Sequence, residues 1–228
     1  MEVLIVSKTH MTHSYCVDGL VLSNNRYVRL LNLGNYNQPM DTDFTIGDVY
    51  EINFTNRQDI HPPHIEDVII LSKNFLRKID NVFEFLNRIN LIDWNGHIDE
   101  VFDGKLKFTP SGTGYIPIEG PLPSKSVGFW VTNKDLVRVE FDNKTRYRFP
   151  NGSDYRNISY VGCQNTIATI PAGTIIRVSL SRVFPPENSQ INSPRGYYLQ
   201  LSGWYQIGPQ MNQAVRPQLD DEYDDLPF

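Results

Sequence analysis

Phe44-Thr45-Ile46-Gly47-Asp48-Val49-Tyr50-Glu51-Ile52 and Ile170-Pro171-Ala172-Gly173-Thr174-Ile175-Ile176-Arg177-Val178 repeat one arrangement at two distant places in the chain. In each, a turn glycine launches a run of alternating side chains. Val49, Glu51 and Asn53 oppose Tyr50, Ile52 and Phe54, the period-two pattern of a strand with one face toward a core. A second echo sets Arg26-Tyr27-Val28-Arg29-Leu30 against Thr145-Arg146-Tyr147-Arg148-Phe149, each followed shortly by Asn. Two copies of one small β-barrel explain both echoes better than a single large sandwich. Closure also removes the exposed strand edges that such short strands would otherwise present.

Working outward, apolar runs at Val3-Leu4-Ile5-Val6 and 16–22, the Arg26 strand, the 49–54 strand and 65–71 place four or five strands in the first section. Alternation puts Tyr27, Arg29 and Leu31 on one face and Arg26, Val28 and Leu30 on the other. Phe75, Leu76, Ile79, Val82, Phe83 and Leu86 recur at three- and four-residue spacing, which predicts a helix over 74–91. Gly104, Pro110, Gly112, Gly114, Pro117, Gly120, Pro121 and Pro123 then mark a connector of turns. Strand signals resume at 126–131 and run through Leu136-Val137-Arg138-Val139-Glu140-Phe141 to Tyr205. The expected organisation is a first barrel over 1–73, a helix and connector over 74–124, a second barrel over 125–205, and a flexible linker with an acidic tip over 206–228.

The chain has 228 residues, is 40 % hydrophobic and 12 % aromatic, and carries a formal charge of −5. Setting aside the five acids of Asp220-Asp221-Glu222-Tyr223-Asp224-Asp225 leaves 21 basic against 21 acidic residues, so the charge belongs to the tail. A block of like charge resists burial and reads as an interaction tail. No apolar stretch is long enough for a membrane span. Cys16 and Cys163 stand far apart with no C-x-x-C partner, which favours reduced thiols in a cytoplasmic setting over disulfides or a zinc ribbon.

The tail's ending, Asp220, Asp221, Asp224, Asp225, Leu226, Pro227 and Phe228, resembles the C-terminal tip of bacterial single-stranded DNA-binding proteins. The resemblance implies a tip that recruits replication, repair or defence enzymes through an apolar pocket flanked by basic groups. Val3 to Thr9 with Met11, Cys16-Val17-Asp18-Gly19-Leu20, Arg29-Leu30-Leu31-Asn32, Pro62-Pro63-His64-Ile65-Glu66-Asp67-Val68 and Leu199-Gln200-Leu201-Ser202-Gly203-Trp204-Tyr205 resemble bacterial dual OB-containing proteins. That second resemblance implies a mainly β fold of two small OB-like barrels, and a setting in bacterial defence.

Barrels of this type hold single strands by pairing a basic groove with aromatic platforms. Arg26, Tyr27, Arg29, Trp130, Arg146, Tyr147 and Arg148 are the candidate nucleic-acid-binding residues, with Lys8, Lys144, Tyr155 and Arg156 as possible additions. The competing reading places the aromatics in the core, since strands are enriched in Tyr and Phe regardless of ligand, and a charge-neutral body lacks a broad basic footprint. His61-Pro62-Pro63-His64 reads as a rigid corner, since the other histidines are scattered and zinc needs three or four converging ligands. No phosphate loop, nucleophile elbow or kinase signature is present. The expectation is a non-enzymatic protein without cofactor or metal, binding single-stranded DNA or RNA and no membrane, with the tip recruiting enzymes. The alternative is an adaptor or decoy that uses the tip to compete for clients of a single-stranded DNA-binding protein.

Overall fold

A computed structural model describes residues 1–187 and 191–206 of the chain. Strands β1 (Glu2–Met11), β2 (Ser14–Val21), β3 (Arg26–Leu31), β4 (Asp48–Asn56) and β5 (Asp67–Lys78) close into a barrel in the order β1-β2-β3-β5-β4. β3 and β5 run parallel, and β1 closes the ring by pairing Glu2, Val3 and Leu4 with Glu51, Tyr50 and Val49 of β4. Val3, Ile5, Val17, Val28, Leu30, Tyr50, Ile52 and Val68 fill the interior.

Helix α1 (Val82–Arg88) follows, capped by the Asn81 side chain, which accepts from the Glu84 amide at 3.0 Å. The helix expected over 74–91 is therefore corrected to one short segment. Residues 74–78 continue β5, because Phe75 pairs with Tyr50 of β4 and their rings meet edge-on with centroids 5.6 Å apart. Helical spacing of Phe75 and Leu76 is coincidental there, and the cap at Asn81 sets the true start.

The rest of the described chain forms one large sheet from β6 (Trp94–Gly96), β7 (Lys107–Phe108), β8 (Gly114–Pro117), β9 (Val127–Thr132), β10 (Leu136–Phe141), β11 (Lys144–Asn151), β12 (Asp154–Tyr160), β13 (Thr169–Ile170), β14 (Ile175–Phe184) and β15 (Gly196–Tyr205). Its path is β13-β10-β11-β12-β15-β14-β9-β6, with β7 and β8 attached through β15. Within it, β10-β11-β12-β15-β14 repeats the strand order of the barrel, including a parallel pair, β12 with β15.

The expected second closed barrel is corrected here, because β10 does not pair with β14. The closing partner of β14 is β9, and residues 133–135 separate β9 from β10. In the first barrel one bulged strand, β1, pairs with both β2 and β4; in the second sheet β9 and β10 divide those two duties. The launching glycines support the equivalence. Gly47 (φ +93°) donates to Ile5 O of β1 and Gly173 (φ +82°) donates to Thr132 O of β9, so each ties the fourth strand to the closing one in a conformation that favours glycine.

The echo of Arg26–Leu31 with the Thr145 stretch joins strands of different rank: β3 is third in its barrel, whereas β11 is second in its sheet. The third strand of the second sheet is β12. The breaker-rich connector is also more than turns, since it supplies β7, β8 and the buried Phe102 and Ile116 to the second core.

Candidate nucleic-acid interface

A layer of apolar side chains joins the two halves. Leu4, Val6, Leu20 and Tyr27 cover the outer face of β1, β2 and β3, and they meet Val127, Phe129, Ile175 and Tyr205 from β9, β14 and β15, with Val82 and Leu86 of α1 completing the layer. Burial of such a face is the main favourable term in folding. The face that a lone barrel of this kind offers to a ligand is thus consumed as an internal contact.

Most polar groups in this layer are paired, whereas the three guanidinium nitrogens of buried Arg177 have no hydrogen-bond partner among the described residues. Tyr27 donates its hydroxyl to Asp93 at 2.5 Å, and Asp93 also accepts from Lys125 at 2.6 Å and the Phe129 amide at 2.8 Å. Burial and the neighbouring Asp93 carboxylate push the Tyr27 phenol well above its ordinary range. Arg29 donates to Asp67 at 2.9 Å, and Asp67 also receives Arg57 at 2.9 Å and Arg182 at 2.8 Å. Burial alone would raise the Asp67 carboxyl; the surrounding arginines overcome it and hold the group below its usual value. Arg177 is fully buried over the Tyr27 and Phe129 rings, 3.6 Å from Asp18. Glu66 accepts the Ser126 amide and hydroxyl at 2.8 and 2.7 Å across the same boundary.

Four of the candidate residues are therefore corrected. Tyr27 and Arg29 lie in the contact between halves. Trp130 and Tyr147 are fully buried in the second core, with Trp130 donating to Gly96 O at 3.0 Å and Tyr147 to Ile167 O at 2.9 Å. None of the four offers a surface to a base. Arg26 stands apart on the first barrel, bonded to Asn56 at 2.8 Å.

Arg146 and Arg148 share the outer face of β10, β11 and β12. Cross-strand register sets Val137 opposite Arg148, Val139 opposite Arg146 and Phe141 opposite Lys144, with Arg148 opposite Asn157 on β12. Val137 is 47 % exposed, Phe141 56 % and Tyr155 50 %. Arg146 lies over the Phe141 ring at 5.1 Å and Arg148 over Tyr155 at 5.4 Å. Burial first, then the adjacent Arg146, holds the Lys144 ammonium below its usual value. At one end a polar cleft of about 260 Å³ opens, lined by residues 110–112 and 154–157 together with Arg148.

The family profile described as "Dual OB-containing domain" matches residues 1–204. The chain belongs to this dual OB-containing family. The family description agrees with the five-stranded barrel and the repeated strand order of the second sheet. A comparison with curated proteins finds no match. Among solved structures, the Ifi202 HINa domain in complex with 20 bp double-stranded DNA aligns at 12 % identity and a TM-score of 0.36, over 91 % of this chain and 96 % of that one. The p204 HINb domain aligns at 11 % identity and a TM-score of 0.31, over 88 % and 95 %. A murine DNA-binding protein bound to double-stranded DNA aligns at 11 % identity and a TM-score of 0.31, over 96 % and 98 %. At these TM-scores the likenesses assign no ligand to the dual OB chain.

Phe141, Asn157 and Ser111 join the candidate face without having been among the sequence-based candidates. Phe141 had a signal. Val137, Val139 and Phe141 form an apolar stripe that alternation assigns to a core, but the structure turns it outward beside two arginines. Asn157 and Ser111 had none, because only the fold brings them within 2.6 Å. The tip residues Asp220, Asp221, Asp224, Asp225, Leu226, Pro227 and Phe228 lie outside the described residues.

Proposed function

We propose that this dual OB protein is a non-enzymatic binder of single-stranded nucleic acid, DNA or RNA, with the strand lying on the outer face of β10, β11 and β12. One observation carries the reading. Of the two equivalent outer faces, the first is buried between the halves, whereas the second is open and interleaves exposed Phe141 and Tyr155 with Lys144, Arg146 and Arg148. Aromatic platforms set among cations suit stacked bases and a phosphate backbone, and this is the face through which barrels of this class bind oligonucleotides. The acidic segment Asp220 to Phe228 is proposed to recruit replication, repair or defence enzymes, a part of the reading supported by its sequence alone.

Fluorescence anisotropy of a labelled single strand at low and moderate salt tests the main claim. Binding is expected to weaken steeply with salt as counterions are displaced. The double variant Arg146→Glu, Arg148→Glu is expected to weaken it by at least about tenfold, since it reverses two charges at phosphate-binding positions. Absence of binding at low salt overturns the proposal and leaves the tip as the active part.

A further inference from the structure

The cleft at the end of the outer face has a wall that is not part of either barrel-like unit. Residues 109–113 connect β7 to β8 and are fastened along β12. Asn157 N donates to Gly112 O at 2.8 Å, Asn157 Nδ2 donates to Ser111 O at 2.6 Å, and Thr113 forms a bridge with Asn157. The Gly112 position takes no larger residue without displacing the loop. Its φ is +80°, and a Cβ there would lie 2.3 Å from Tyr155 O. Thr109 and Ser111 join their hydroxyls at 2.9 Å, so the loop also has an internal brace. Arg148 Nε reaches Asn157 Oδ1 at 3.4 Å, which ties the cation of the cleft to the residue that holds the wall.

We infer that this cleft seats one unpaired nucleotide, and that the 109–113 loop makes the site select single strands over duplex. The inference rests on the nucleic-acid reading above and narrows it. At about 260 Å³ the cleft is smaller than the ordinary range for small-molecule pockets and suits one nucleotide unit better than a base pair. Its chemistry matches that unit. Arg148 offers a cation to a phosphate, half-exposed Tyr155 offers a face to a base, and Ser111 and Asp154 offer polar groups to its edge. Bases inside a duplex present no free face to an aromatic ring, so Tyr155 is usable only by an unstacked nucleotide. In this scheme the wall beside the open cleft also obstructs a second strand. Asn157 is a positioning residue in this scheme, holding the loop and orienting Arg148.

The test uses the full chain and two labelled probes, compared at the same low and moderate salt concentrations. One is a single strand of about 12 nucleotides, within the span of one barrel-sized site, and the other is a blunt duplex of the same length. The wild-type protein is expected to prefer the single strand by at least about tenfold, as stacking on a free base is lost in the duplex. Tyr155→Ala, a surface change, is expected to weaken single-strand binding at least about fivefold, the low end of what one stacked base is worth, and to leave duplex binding unchanged. Gly112→Ala, checked for native melting, is expected to narrow the preference by lifting the loop while the salt dependence stays the same. Equal wild-type affinity for the two probes overturns the inference and leaves the broader reading standing. So does a Tyr155→Ala protein that loses both probes in parallel. Failure to bind either probe at low salt removes both readings together.

Discussion

His64 shows how a single side chain sets a pH limit on the contact between halves. It is buried, with Nε2 3.0 Å from Ser181 O in the second half and Nδ1 3.5 Å from Arg29. The neutral tautomer that donates from Nε2 satisfies both neighbours; a protonated ring would set a second positive charge against Arg29. Burial first, then Arg29 and Arg182, pushes the His64 pKa down to about 2 from 6.5. With the folded value depressed, the unfolded chain binds the extra proton between these limits, so stability is present above about pH 6.5 and falls as pH drops below it. The loss is expected to reach about 1.4 kcal/mol one pH unit below 6.5. Urea melts of the wild type and His64→Gln between pH 7 and 5 check this, with the variant expected to show a flatter profile. His64 was read from sequence as half of a corner; its inward turn was not legible, because its partners Arg29 and Ser181 are far away in the chain. The same limit applies to Tyr27 and Arg29. Alternation correctly placed them on one face, but it carries no information about what that face touches.

Among the elements, α1 is the one most dependent on its surroundings. At seven residues it is too short to persist alone, and it is held by Val82 and Leu86 in the shared layer and by the Asn81 cap. Asn81→Ala is expected to cost about 1 kcal/mol, measurable by chemical denaturation. The strands were easier to read than the helix, because turn glycines punctuate them. Gly47 and Gly173 were visible as launching points, and both hold the left-handed conformation that favours glycine. The division of the closing strand into β9 and β10 was not visible. Asn133, Lys134 and Asp135 are ordinary polar residues, and only the pairing of β9 with β14 shows that the break serves closure. The stretch 74–78 misled because Phe75 and Leu76 fit a helical stripe as well as a strand, and the choice is made by Tyr50 across the ladder.

At the scale of the whole molecule, the two halves are expected to unfold as one unit. Each contributes residues to the central apolar layer, and Asp67 and Glu66 on one side are satisfied by Arg182 and Ser126 on the other. Separating them would expose apolar surface and break the Asp67–Arg182 and Glu66–Ser126 bonds, a costly combination. Hydrogen exchange is expected to give the same opening free energy for amides in β2 and in β14; a lower value for one half would show that it opens independently. The internal contact has a further consequence for how the gene tolerates change. On the proposed reading, two structurally equivalent faces face different selection: alterations around Leu20 and Tyr27 would be judged by protein abundance, and those around Arg148 and Tyr155 by ligand capture at normal abundance. A saturation mutagenesis map scored for both traits would therefore split a duplicated architecture into one copy that behaves as scaffold and one that behaves as instrument.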